Sequence, residues 1–211
     1  MTVKPATPSF LTEDDMAKDT RVRMLEATAR LLRQRGYHGT SLNDILAASG
    51  APRGSLYFHF PGGKDQLVIE VTKNSVEQVK LSLAEALAAE KSPGAAIRRI
   101  FETTARMLQE NDFVRGCPVA PVVLDGTTDV PELVELSRQA FEQWIGLFRD
   151  SFIKAGIPER RAHALALLVE SSLEGLMIIA RASRDNSSFA AVADELAALA
   201  DAAQPARAAV K

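Results

Sequence analysis

The sequence holds a single cysteine, Cys117, and only three scattered histidines, His38, His59 and His163. One thiol excludes an internal disulfide framework and any site built from several cysteines, and the histidines lack metal-ligand spacing, so no metal is expected. A lone thiol also fits a reducing compartment, which makes a cytoplasmic protein the expectation. Long apolar runs are missing as well. Stretches such as Leu165 to Val169 fall far short of a membrane span, and acidic residues interrupt the first twenty where a signal peptide needs an unbroken apolar stretch, so no membrane partner is expected. No P-loop, GxGxxG, HExxH or Ser-His-Asp order occurs. Neither a catalytic residue nor a cofactor is therefore expected, and an enzyme is not.

Aromatic residues make up only 6% of the chain, whereas alanine alone supplies 33 of its 211 residues. That balance favours helices over strands, and no strand-like alternation persists between the proline and glycine punctuation, so the fold class is all-α. Helices are expected over Thr20 to Arg35, Ser41 to Ala48, Arg53 to Phe60, Lys64 to Glu90, Ala95 to Glu110, Glu132 to Ala155, Glu159 to Arg184 and Ser188 to Ala203, with a short one near Pro118 to Leu124. The first twenty and last eight residues read as loose tails. Net charge is −2, but it is unevenly placed: residues 21–80 carry nine Lys/Arg against five Asp/Glu. The basic charge sits in one segment.

The first three helices are short and closely spaced. Gly36 supplies a left-handed closing residue after Arg33-Gln34-Arg35, and Ser41 with Asp44 three residues on forms a capping-box pattern. Leu42, Ile45 and Leu46 follow helical spacing, Ser49-Gly50-Ala51 turns the chain, and Pro52 suits a first helical turn. Two short helices joined by a glycine-containing turn make a helix-turn-helix unit. In the second, Leu56 and Phe60 share a face that a two-turn helix must bury. Arg53, Ser55, Tyr57 and His59 are left outward, with the donors and acceptors that base edges and phosphates call for, although an ordinary solvated face reads the same way.

These residues resemble a known family. Gly36-Tyr37, Thr40-Ser41, Asp44-Ile45, Ser49-Gly50, the run Gly54 to Phe60 and Lys64-Asp65-Gln66-Leu67 are similar to the N-terminal domain of TetR-family transcriptional regulators over roughly residues 21–70. Pro61-Gly62-Gly63-Lys64 is one residue longer than the commonest family turn, and Pro52 stands where a capping Ser or Thr is frequent. The longer turn resembles a branch that also carries a Gly-Cys-Pro-Val segment, here Gly116 to Val119. The resemblance implies an N-terminal three-helix helix-turn-helix domain (20–66) and a C-terminal helical ligand-binding and dimerisation domain (67–203), flanked by flexible tails (1–19 and 204–211). It further implies that Thr40, Tyr57 and Lys64 hold phosphates of double-stranded operator DNA, with Ser41 beside them. Arg53, Gly54, Ser55 and His59 would approach base edges. Arg53 suits a bidentate contact to guanine but could touch only the backbone, and His59 serves a contact inside the domain equally well.

Beyond Lys64 the resemblance gives architecture rather than chemistry. Phe141, Trp144, Ile145, Phe148 and Phe152 recur at helical spacing, with Phe101, Met107 and Phe113 in the helix before and its exit. They are either plain core or the wall of a cavity for a small apolar or aromatic effector, with Met177 added and Glu174 or Arg106 as polar anchors. Cys117 is either a sensor thiol or a buried small hydrophobe. The last two helices are apolar on more than one face, which a single-chain bundle or a homodimer interface through Leu173, Leu176, Ile179, Ala180 and Leu196 would satisfy. The function expected is a repressor released from a palindromic operator by an effector. The alternatives are a helical ligand-binding protein without specific DNA binding, or an activator of the same family.

Overall fold

A computed structural model describes residues 13–126 and 129–205 of the protein. Among the described residues the chain forms nine helices and no strand: α1 (Glu13–Arg35), α2 (Leu42–Ser49), α3 (Arg53–His59), α4 (Gly63–Ala89), α5 (Pro93–Glu110), α6 (Ala120–Leu124), α7 (Pro131–Lys154), α8 (Glu159–Ser183) and α9 (Ser188–Ala202). Most boundaries fall within two residues of those expected, because proline, glycine and, at α2 and α5, a capping serine mark them. The exception is α1, which begins at Glu13 rather than near Thr20, so residues 13–19 are helix and not tail. The expected tails at 1–12 and 206–211 lie outside the described residues.

The helix-turn-helix unit is organised on α1. Met24 and Leu31 pack with Ile45 of α2, Leu56 of α3, and Phe60 and Leu67, with Phe60 wholly buried. Polar ties from α1 finish the assembly. Arg23 donates to the Ser49 carbonyl at the end of α2 (3.2 Å), and Arg21 pairs with Glu70 of α4 while lying 5.3 Å from the centre of the Phe60 ring. Leu56 and Phe60 thus anchor α3 as their four-residue spacing requires, which fixes the direction of its other face.

A second cluster joins this unit to the rest of the chain. Leu32 and Tyr37 meet Val68 and Val71 of α4, Val122 of α6, and Val130 and Leu133 at the start of α7. The third and largest core fills the space among α4, α5, α7, α8 and α9. Asp201 accepts the Gly94 N–H (3.0 Å) at the first turn of α5, and Arg98 pairs with Asp194 (2.6 Å), so α9 is stitched along α5. By length and composition α8 is the one helix among the described residues that could cross a membrane. Here it is packed between α7 and α9 as a core helix.

Gly36 closes α1 with φ 71°, its N–H donating to the Leu32 carbonyl (2.9 Å). Its bare Cα faces the carboxylate of Asp125, directly after α6, and a methyl group there would collide with it. The same carboxylate accepts the His38 N–H (3.2 Å). Gly36→Ala therefore meets two penalties, the left-handed backbone and the collision. Together they are expected to destabilise by about 2 kcal/mol and lower the thermal midpoint by roughly 4–8 °C. Circular-dichroism melting of Gly36→Ala and of Gly36→Ala/Asp125→Ala checks this. The double variant should melt above the single one, whereas equal midpoints would show that the carboxylate does not press on position 36.

Candidate nucleic-acid interface and cavity

The turn into α2 is set by a complete capping box. Asp44 N–H donates to Ser41 Oγ (3.1 Å), and Ser41 N–H donates to Asp44 Oδ2 (3.0 Å). Gly50 ends α2, its N–H on the Leu46 carbonyl (3.0 Å), and Pro52 precedes α3 in extended conformation. With Leu56 buried, the outward face of α3 presents Arg53, Gly54, Tyr57 and Phe58. Arg53 Nη2 donates to Asn43 Oδ1 on α2 (2.6 Å), which holds the guanidinium across the two helices and leaves its other donors outward. Nothing lies within 4 Å of a Cβ placed on Gly54, so a nucleic-acid backbone could approach there closely.

Tyr57 is 56% exposed and Phe58 is 76% exposed. Two adjacent rings left in water contribute little to the fold, and they mark a contact surface. Phe58 was quoted in the sequence motif without a role, and its exposure is the signal that composition alone hides. His59 is half-buried, with its ring 4.9 Å from that of Phe58 and 6.3 Å from that of Phe60, which favours the contact inside the domain over one with bases. Ser55 is also half-buried, and Ser41 is exposed at the cap. Thr40 is a correction. It is wholly buried and its hydroxyl donates to the Gly36 carbonyl (2.7 Å), so that side chain serves the turn and is turned away from any phosphate.

Lys64 stands in the first turn of α4 with its ammonium 3.9 Å from the centre of the Tyr37 ring. Tyr37 donates to Asp65 Oδ1 (2.5 Å), and burial with that acceptor pushes its phenol up to about 12. The ring is thus a fixed shelf that positions Lys64 near the open amides of the helix start. Sequence reading quoted Tyr37 but did not assign it this part.

The second feature is a cavity of about 510 Å³ among α4, α5, α8 and the segment Arg115–Pro118. Of the expected lining, Met107, Trp144, Glu174 and Met177 are there. Phe101 and Phe148 are fully buried in the core instead, against Phe189 and Phe152 respectively. Phe113 carries Arg184 over its ring, and Phe141 packs edge-on behind Trp144. These four rings do not border the cavity: Phe101 and Phe148 fill the core, while Phe113 and Phe141 are only half-buried. Arg106 pairs with Glu102 at the surface. What sequence reading missed is the polar share of the wall: Arg33, Ser75, Gln78, Ser82, Arg115 and Glu170.

Two buried polar atoms in that wall have no partner among the described residues, Trp144 Nε1 and Glu170 Oε2. Burial, with the Glu174 charge one turn away, pushes the Glu170 carboxyl up to about 8. Burial also raises Glu174 and, more strongly, the Cys117 thiol, which hydrogen-bonds Glu174 while its sulfur accepts the Val119 and Ala120 N–H groups (3.4 and 3.3 Å). A thiolate is disfavoured there, so Cys117 is a small buried hydrophobe at the start of α6 rather than a reactive sensor.

The expected interface residues need correcting too. Leu173, Leu176, Ala180 and Leu196 are buried in the chain's own core, and only Ile179 is exposed. The outward apolar stripe of α8 is Leu167, Leu168, Ile178 and Ile179, with Leu199 exposed on α9.

Comparison with known proteins covers most of the chain. Residues 24–71 match the family "Bacterial regulatory proteins, tetR family", and residues 93–195 match "Transcriptional regulator LmrA/YxaF-like, C-terminal domain". An uncharacterized HTH-type transcriptional regulator of Mycobacterium tuberculosis is 36% identical over 170 residues, 78% of this chain and 86% of that protein. The HTH-type transcriptional regulator LmrA of Bacillus subtilis is 30% identical over 169 residues, 80% of this chain and 90% of LmrA. Among solved structures, a TetR transcriptional regulator from Chloroflexus aurantiacus is 28% identical with a TM-score of 0.75, covering 87% of this chain and 94% of its own. A cysteine-substituted CifR, solved with 26-base-pair operator DNA, is similar in fold at a TM-score of 0.73, covering 92% of this chain and 98% of its own, with 23% identity.

The raised Glu170 carboxyl has a stability consequence. Its value when folded, about 8, lies above its ordinary 4.5, so its contribution is fully present below pH 4.5 and is lost as pH rises through 8. Urea unfolding between about pH 5 and about pH 8 should therefore show stability falling with pH, and Glu170→Gln should flatten that fall. A variant with the same slope as the unmodified protein would contradict the assignment.

Proposed function

Because this chain belongs to the TetR family of DNA-binding transcriptional regulators, which are not enzymes, we propose that it is a homodimeric repressor released from a palindromic operator by a small molecule bound in the cavity. One observation carries this reading. The cavity wall Arg115–Pro118 runs directly into α6, and Asp125 at its end bonds the His38 amide in the turn from which the helix-turn-helix unit extends. A ligand that moves that wall moves the frame of the recognition helix. Effector and operator then oppose each other through one two-state element, and linkage makes the opposition reciprocal.

On the DNA side, residues 20–66 form the binding domain and α3 enters the major groove. Arg53, steadied by Asn43, reads a guanine, Gly54 and Ser55 allow the close approach, and Phe58 offers an apolar contact to a thymine methyl. Tyr57, Lys64 and Ser41 hold phosphates. On the effector side, residues 67–203 form the ligand-binding and dimerisation domain, with the apolar body of the effector against Met107, Trp144, Leu173 and Met177. The stripe Leu167, Leu168, Ile178 and Ile179 supports the dimer: it continues on the outside of a helix whose other faces are already filled. Pairing it with the same stripe of a second copy gives a two-fold four-helix seam with α9.

Two outcomes test this reading. In binding to a duplex selected by the protein from random DNA, Arg53→Ala should relax preference at one base position per half-site, a loss of about 1–3 kcal/mol for the correct base. Lys64→Ala should instead weaken all sequences alike and lower the salt slope by about one per subunit. Unchanged selectivity after Arg53→Ala would remove it from base reading. For the dimer, Ile178→Glu/Ile179→Glu should give a folded monomer by sedimentation velocity, since both side chains are exposed in the single chain. A monomeric unmodified protein at micromolar concentration would refute the interface.

A further inference from the structure

The effector cavity is not evenly charged. Arg33, reaching out of α1, and Arg115, in the segment after α5, both line it, and neither meets a carboxylate among the described residues. The one bond Arg33 makes is from Nη2 to Ser75 Oγ on α4, at 3.3 Å. Elsewhere the chain pairs its cavity-side arginine: Arg99 holds Glu90 at 3.1 Å. None of the carboxyls that line the cavity is bonded to Arg33 or Arg115 among the described residues, although Glu174 hydrogen-bonds Cys117, whose charge acts on Arg33. Glu85 is ten residues beyond Ser75 on α4, about 15 Å along the helix, and is exposed. Glu170 and Glu174 face the inner wall on α8, beside Trp144 and Cys117. Burial first, and then the neighbouring charge of Arg115, lower the Arg33 guanidinium from its ordinary value, with Cys117 acting the other way. The lining also carries the apolar side chains of Val79, Leu83, Ile100, Met107, Leu173 and Met177.

We propose that the cavity takes an amphipathic organic anion, its carboxylate or sulfonate group held between Arg33 and Arg115 and its apolar body lying toward Trp144. This rests on the effector reading of the same cavity and adds an anionic group to the small apolar or aromatic effector expected from the sequence. Arg33 belongs to the helix on which the DNA-binding unit is built, so the anion ties α1 directly to the wall that continues into α6. Ligand charge, and not shape alone, is what reaches the recognition helix. At the inner wall a hydrogen-bonding group on the body would satisfy Trp144 Nε1 or Glu170 Oε2.

The test uses two probes that differ only in the anion, anilinonaphthalene sulfonate and phenylnaphthylamine, titrated into the full-length protein by fluorescence. The sulfonate is expected to bind at least about tenfold more tightly than the neutral probe, the scale of a hydrogen-bonded charge pair. That preference should shrink between about 50 and about 500 mM salt. Arg33→Gln and Arg115→Gln should each weaken the sulfonate about tenfold and leave the neutral probe unchanged, while Arg33→Lys keeps most of the preference. Val79→Trp, which fills the cavity, should abolish both. Equal affinity for the two probes, or arginine variants that affect both alike or neither, would overturn the anion proposal while leaving the cavity reading intact. Undiminished binding of both probes to Val79→Trp would overturn the cavity reading itself.

Discussion

The two halves of this molecule meet where the carboxylate of Asp125, at the end of α6, reaches the turn after α1 within an apolar joint. That carboxylate accepts the His38 amide proton and packs against the bare Cα of Gly36, the residue that ends α1. That bond is exposed, so its contribution is about 1 kcal/mol or less, which is small against the whole fold but matters against the few kcal/mol that separate two conformations of a regulator. Around it the apolar cluster of Leu32, Tyr37, Val68, Val71, Val122, Val130 and Leu133 closes the joint. Tyr37 has a double part there, since the ring that fills the joint also carries the ammonium of Lys64. A change in the joint is therefore felt at a proposed phosphate contact without passing through α3.

The cavity shows the opposite economy. A fold selected only for stability would not leave Trp144 Nε1 and Glu170 Oε2 without partners among the described residues, each at a cost of about 1–3 kcal/mol, nor the half-buried Arg33 without a carboxylate there. Such costs concentrate where a structure has work other than folding to do. The chain offsets them nearby: Phe101, Phe148, Phe152 and Phe189 are packed out of water, and α9 is tied to the first turns of α5 by Asp201 on the Gly94 amide and Asp194 on Arg98.

Most of the architecture was legible because its signals are local. Ser41 with Asp44, Gly36, Gly50 and Pro93 each act within four residues, and they place helix ends to within a residue or two. Glu13 to Thr20 was misread because it has no apolar period to announce a helix. The outward side of α3 was legible for the same local reason, since burying Leu56 and Phe60 leaves Arg53, Gly54 and Tyr57 exposed. Thr40 failed because a hydroxyl reads alike whether it meets a phosphate or the Gly36 carbonyl. The cavity was half legible. Aromatic residues were expected in its wall, yet size draws Phe101 and Phe148 to the core, while small polar residues such as Ser75 and Ser82 leave no periodic mark. Arg33 could not be placed there at all, because it precedes the rest of the lining by some forty residues and arrives only through the packing of α1 on α4. On α8 the period is clear, but period alone does not tell the inner stripe of Leu173 and Leu176 from the outer one of Ile178 and Ile179.

The account stands or falls on whether the cavity and the recognition helix are two ends of one equilibrium. The direct measurement is a pair of titrations on the full-length protein: the affinity for a duplex selected from random DNA with and without saturating anilinonaphthalene sulfonate, and the affinity for the sulfonate with and without saturating duplex. Coupling through the α6 to His38 contact predicts that each weakens the other by the same factor, about 5- to 150-fold. Two affinities that ignore each other would show that the cavity and the DNA face are independent, and would contradict the account.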